Sequence, residues 1–251
     1  MNQHFNLTRF TRLLRKHTAE YLMSYALGAA VLLGGMLVVL GFLAYMQGGI
    51  GGSAQAVLFT LFLLGAGSFF TSTVLAQFGV GSRAALALTL PTSQLEKFLV
   101  AWVFSLPVFL VVFVAEFYLA DWLVLSVFRE KEALINIFVR SETTYAVLTI
   151  FLILHGVALW GSIAFKGLQF IKTAFLFFAL ALGVGILNFQ WLRAMFGNTV
   201  QMALPLGTVH MHNSPALSLT ESQEHLILLP LLLLIPLLWV ASYARLTEKQ
   251  L

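Results

Sequence analysis

An all-α, polytopic membrane protein is the fold class this sequence predicts, and three observations predict it. The chain of 251 residues is 60% hydrophobic and only 10% charged, whereas soluble domains carry about 25% charged residues to cover their surface. Its apolar residues gather in six runs, each comparable to the roughly 20 residues a helix needs to cross a bilayer. The runs are continuous rather than alternating, and a segment in lipid must satisfy every backbone group internally, so helices are expected. The absence of cysteine removes disulfides, thiolate catalysis and Cys-based zinc sites. The net charge of +4 gathers on one membrane face, as shown below. It is not a nucleic-acid footprint, and no nucleic-acid partner is expected.

The first 20 residues are polar and basic. On a helical projection Leu7, Phe10, Leu13, Leu14 and His17 share one arc, and Arg9, Arg12, Arg15 and Lys16 occupy the other. Asn6 is a candidate N-cap. A basic amphipathic helix of this kind is expected to lie flat among headgroups, its cations toward anionic lipid. A merely solvated basic leader has the same pattern. The apolar run that follows is too long for the core of a signal peptide, so cleavage is not expected. The chain therefore divides into an interface helix, residues 1–20, and a membrane region, 21–251.

Within that region the six spans are read at about 21–45, 54–76, 98–127, 144–165, 173–188 and 226–243. The third exceeds the membrane requirement and is expected to tilt or protrude. Pro107 in the third span, and Pro230 and Pro236 in the sixth, imply kinks. Small residues recur at Gly28, Gly34, Gly35, Gly65, Gly67, Ser68, Ser72, Gly183 and Gly185, where helices or two copies of the chain approach closely.

Charge asymmetry sets the expected orientation. With the N-terminus cytoplasmic, the inner face collects ten cations: Arg9, Arg12, Arg15, Lys16, Arg83, Lys97, Lys166, Lys172, Arg245 and Lys249. The outer face receives four: Arg129, Lys131, Arg140 and Arg193. That excess predicts both termini on the cytoplasmic side, and the expected location is the inner (cytoplasmic) membrane.

Residues 78–100, FGVGSRAALALTLPTSQLEKFLV, interrupt the apolar pattern on that inner face. Ser82 is a candidate cap for a short helix. Pro91 stops whatever precedes it. Ser93 stands three residues before Glu96, the spacing of a capping box, and the apolar run begins at Phe98. A firmly started helix behind a break is how a chain would present a stiff cytoplasmic loop to another protein. A well-capped membrane loop with no partner reads the same way.

The last outer segment, residues 189–223, is long and rather apolar. Loops of such length are uncommon and usually functional. It is expected to form helical hairpin or re-entrant pieces, broken at Gly197-Asn198 and at Pro205; a seventh partial span is the rival, and Arg193, Asn198, Gln201 and the histidines oppose a full crossing.

Few residues suggest chemistry. His210, Met211 and His212 have copper-compatible donors, but no second cluster completes a set, so no metal and no cofactor is expected. Glu116 is an acid inside the third span, with Asp121 just beyond it. Carboxylates in lipid are costly and mark candidate functional sites, which makes Glu116 a candidate for a translocation path; helix packing is the plainer role. His155, beside Gly156, suits hydrogen-bonded packing more than a proton relay. No P-loop, no His-Glu-x-x-His and no serine elbow is present. No enzyme activity is expected.

Two stretches, ALTLPTSQLEKFLVAW (87–102) and FKGLQFIKTAFLFF (165–178), together with the six-span layout, resemble the ABC-2 type permeases of ABC transporters, in particular a Bacteroidetes-like subgroup. The resemblance covers nearly the whole chain. It implies that residues 83–97 form a coupling helix docking on a nucleotide-binding subunit, with Arg83, Pro91, Ser93, Glu96 and Lys97 at the contact. It implies that residues 7–17, with Arg9, Arg12, Arg15 and Lys16, are the interface helix, and that 189–205 closes the exit side. It also implies an exporter of two permease copies with two separate ATPase subunits. A non-transporting membrane scaffold and a proton-linked secondary transporter using Glu116 and His155 are the alternatives. The cargo is not legible.

Overall fold

The computed structural model describes residues 5–74, 93–128, 134, 136, 142–203, 209–211 and 221–248. They form six long helices and one small hairpin. We number the helices α1 (Leu7–Gln47), α2 (Gly52–Val74), α3 (Gln94–Phe128), α4 (Glu142–Ala164), α5 (Gln169–Phe196) and α6 (Glu221–Glu248). Each contains a stretch long and apolar enough to cross a membrane. The chain is thus an all-α, multi-pass membrane protein.

Asn6 caps α1, its side chain accepting from the amides of Thr8 at 2.9 Å and Arg9 at 3.4 Å. The helix ends at Gly48, whose left-handed backbone (φ 71°) suits glycine. Between these caps lie 41 residues, about 60 Å of helix at 1.5 Å per residue, twice the hydrocarbon thickness. The expected interface helix and the first span are therefore one continuous rod rather than a flat helix followed by a crossing. The physical reason is in the join: neither Gly nor Pro falls between Leu7 and Leu27, and nothing else there breaks the hydrogen-bond ladder.

Ser93 starts α3, and a π-helical segment interrupts it at Phe104–Val108. Pro107 lies in that segment. Proline has no N–H to give the preceding turn, and a wider i→i+5 turn absorbs the defect. Pro230 and Pro236 lie inside α6, which runs on through both.

The core is an aromatic ladder. Phe113 and Phe117 of α3 pack on Phe59 of α2 at 5.3 and 5.1 Å, and Phe109 stacks on Phe70 at 5.4 Å. Met36, Leu40 and Ala44 of α1 and Phe151 of α4 close it. Three glycines permit the tight approaches. A Cβ at Gly67 would meet Phe151 at 2.5 Å, one at Gly156 would meet Leu238 Cβ at 2.7 Å, and one at Gly161 would overlap Thr173. By contrast, Gly28, Gly34, Gly35, Gly65, Gly183 and Gly185 face open space among the described residues.

A second cluster joins Val74 at the end of α2, Phe98 and Ala101 of α3, Leu159 and Ile163 of α4, and Leu246 of α6. It puts the start of α3 and the ends of α2, α4 and α6 at one end of the bundle. Asn6 bonds to Glu96, so α1 starts there too. The first and last helices hence begin and end on the same side.

The fifth run, short at 173–188 and open to extension toward Leu168 or through Trp191, extends at both ends, from Gln169 to Phe196. Gly197 ends it at φ 69°, and a 3-10 turn leads to two antiparallel strands, β1 (Val200–Ala203) and β2 (Val209–Met211). Val200 pairs with Met211, Met202 with His210 and Ala203 with Val209. This corrects the expected helical or re-entrant hairpin: the break at Gly197 is present, but a β-hairpin follows it. Val200 and Val209, β-branched, open the two strands and suit extended backbone. Pro205 lies outside the described residues.

Candidate functional site at the start of the third span

Ser93 has extended backbone (φ −69°, ψ 154°), as an N-cap requires. Its hydroxyl accepts from the Glu96 amide at 3.2 Å, and its own amide donates to Glu96 Oε2 at 3.0 Å. The capping box predicted from the Ser-x-x-Glu spacing is thus formed.

The same carboxylate does a second job. Glu96 Oε1 accepts from the backbone amide of Asn6 at 2.9 Å and pairs with Arg9 Nη2 at 3.1 Å. The side chain of Glu96 is 0% exposed and that of Arg9 31%. A buried charge is tolerable only when hydrogen-bonded and paired, and here one carboxylate gathers two amides and a guanidinium. It welds the first turn of α3 to the first turn of α1.

The weld continues inward in register. Eight residues beyond Arg9 is His17; eight beyond Glu96 is Phe104; their rings lie 4.7 Å apart. His17 Nε2 also lies 2.7 Å from the Tyr25 hydroxyl, and Tyr25 packs edge-on to Phe70 of α2 at 5.2 Å. So α1 and α3 run parallel from Glu96 to the π segment, with a histidine–tyrosine cluster between them.

Just past that cluster a buried chain of hydrogen bonds ties three helices. Ser105, in the π segment, lies 2.9 Å from His155 Nε2 of α4, and Trp239 Nε1 of α6 donates to His155 Nδ1 at 3.2 Å. An indole N–H only donates, so Nδ1 accepts and the imidazole proton sits on Nε2, facing Ser105. Both ring nitrogens are occupied by packing partners, the plainer of the two readings of His155.

The remaining expected site residues are dispersed. Arg12, Arg15 and Lys16 are exposed on α1 beyond the junction, and Lys97 is buried beside Glu96. Arg83 and Pro91 lie outside the described residues. Glu116 is half-buried on α3, far along the helix from the junction, with Oε2 buried and without a hydrogen-bond partner among the described residues. Asp121 is fully buried. His210 sits on β2, while His212 lies outside the described residues. Sequence reasoning missed the pairing of Asn6 and Arg9 with Glu96, and the Ser105–His155–Trp239 chain. The first spans 90 positions, and no local pattern encodes a contact of that separation.

Fold and junction together define a multi-pass helical membrane protein whose first and third spans are pinned at one end. No family model, no curated protein and no solved structure matches the chain.

Proposed function

We propose that the chain is the transmembrane permease subunit of an ABC-2 type exporter, driven by ATP that a separate nucleotide-binding subunit hydrolyses. Two permease copies form the path, and the pinned end faces the cytoplasm of a bacterial inner membrane. The observation that carries this reading is the shared Glu96 carboxylate. It joins residues 93–97, the described end of the proposed 83–97 coupling segment, to α1 as well as α3. A displacement of that segment then moves two long helices rigidly rather than one loop. The resemblance of 87–102 and 165–178 to such permeases supports the reading, as does the lack of any ATP-binding loop in the chain.

The test is copurification with a P-loop ATPase encoded beside it, followed by transport assays in vesicles. Glu96→Ala, or a Gly-Gly insertion at Pro91, is expected to leave ATP hydrolysis running while transport falls about tenfold or more. Unchanged transport in both variants sinks the coupling role.

One observation favours a second reading, a proton-linked secondary transporter. Glu116 places a carboxyl oxygen in the span with no donor among the described residues. Transport that needs no ATPase, collapses with the proton gradient and is lost in Glu116→Gln would establish it instead. Copurification with neither an ATPase nor any transported solute leaves the scaffold reading.

A further inference from the structure

A groove of about 440 Å³ opens where the end of α2 meets the start of α5. Phe69, Ser72 and Thr73 line it from α2, Leu168 from the α4–α5 turn, and Gln169, Phe170 and Ile171 from the first turn of α5. Its surface is overwhelmingly apolar, and Phe69 packs edge-on against Phe170 at 5.4 Å. Because α2 ends and α5 begins at the pinned end of the bundle, the groove lies at the level of one leaflet's headgroups.

Two lysines bracket the lining segment. Lys166 precedes it and Lys172 follows it, and Lys172 Nζ donates to the Lys166 carbonyl at 3.0 Å, closing the turn so that its ammonium is held there. Both side chains are exposed. No acid occurs along α2 or α5, and the only acid of α4 is Glu142, at its far end. The turn's backbone is unusual as well: Gly167 and Leu168 both have positive φ, 66° and 49°. A leucine in that region costs about 1–2 kcal/mol, and Leu168 is largely exposed, so its own burial does not offset the strain. No side chain caps α5, leaving the positive end of a 28-residue helix directed at the same place. Beyond the groove, α5 presents Phe175 and Phe178 to the bilayer, a surface along which an acyl chain can run.

We propose that this groove is a binding site for an anionic glycerophospholipid of the adjoining leaflet, its phosphate held between Lys166 and Lys172 and its upper acyl chain seated against Phe69, Phe170 and Ile171. Charge complementarity selects the anionic headgroup. Exposed Ile171, Phe175 and Phe178, at i, i+4 and i+7 of α5, continue the apolar lining along the helix and select a lipid over a soluble phosphate. The site does not depend on the transport reading.

Native mass spectrometry of the full-length protein, purified in detergent and titrated with phosphatidylglycerol or phosphatidylcholine, tests this. One tightly held phosphatidylglycerol is expected, with phosphatidylcholine retained at least about tenfold less. Lys166→Gln with Lys172→Gln should weaken phosphatidylglycerol retention by about tenfold or more, given the usual contribution of a lysine near an anionic surface. Thr73→Trp, at an exposed position on the groove wall, should fill the groove and displace the lipid with the charges intact. Arg245→Gln removes a cation from the same side of the protein but away from the groove, and should change nothing. An equal loss in Arg245→Gln would mean diffuse surface attraction and overturn the site. So would unchanged retention in both the lysine pair and Thr73→Trp, or equal binding of the two lipids. Inorganic phosphate competing as well as the lipid would overturn the acyl-chain half of the proposal.

Discussion

Glu96 shows how much one side chain carries when it is buried with its charge. Its two oxygens serve a cap, a second helix terminus and an arginine, so truncation removes all three at once. The Ser93 hydroxyl half of the capping box, which takes the residue-96 amide, survives the truncation, but hydrogen bonds to a charged group contribute about 1.5–3 kcal/mol each. Glu96→Ala is therefore expected to lower the thermal unfolding midpoint in detergent markedly. Arg9→Ala should cost less, because Arg9 is partly solvated and the capping box survives. Equal losses would mean that the ion pair alone matters. His155 is the neutral counterpart. His155→Phe keeps the ring but strands the Trp239 indole N–H, a penalty of about 1–3 kcal/mol. Trp239→Phe made in the same chain removes the stranded donor. The double variant should lose less than the sum of the singles, which a double-mutant cycle of unfolding midpoints measures.

At the scale of elements, the close helix crossings depend on particular glycines, and the chain distinguishes them from the rest. Gly156→Ala drives a Cβ into Leu238, whereas Gly183→Ala meets nothing within 4 Å. Overpacking costs about 1–3 kcal/mol, so the first variant should unfold earlier and the second should match the parent. This contrast also shows what the sequence made legible. The hydrophobic runs located every span, and the Ser93/Glu96 spacing located the cap of α3, because both signals are local. Which glycines make contacts inside one chain is a tertiary property. Gly67 and Gly65 are two residues apart in the same apolar run, yet only Gly67 meets Phe151. The continuity of α1 was obscured by amphipathicity: Arg9, Arg12, Arg15 and Lys16 predict a helix, but whether that helix lies flat depends on what holds its start. The hairpin after Gly197 escaped because its strands are only four and three residues long, too short for periodicity to decide.

For the whole molecule, pinning α1, α3 and α6 at one end fixes a sidedness that single-cysteine labelling reads directly, since the chain has no cysteine of its own. The start of α1 bonds to the start of α3 through Glu96, and Tyr243, near the end of α6, packs on Phe98 at 5.7 Å. Cysteines at Thr8, Gln94 and Glu248 should thus react from one common side. The opposite ends of α1 and α5 lie across the bundle, so cysteines at Gln47 and Thr199 should react from the other. This grouping follows from packing alone. Which group faces outward is part of the proposal, and rests on the excess of lysine and arginine in the sequence near the pinned end. In intact cells an impermeant maleimide should therefore label Gln47→Cys and Thr199→Cys, and reach Gln94→Cys only after permeabilisation. Mixed labelling within a group would overturn the helix packing. A clean reversal of the two groups would leave the packing standing and move the Glu96 weld to the wrong face for an ATPase, ending the exporter reading while sparing the fold.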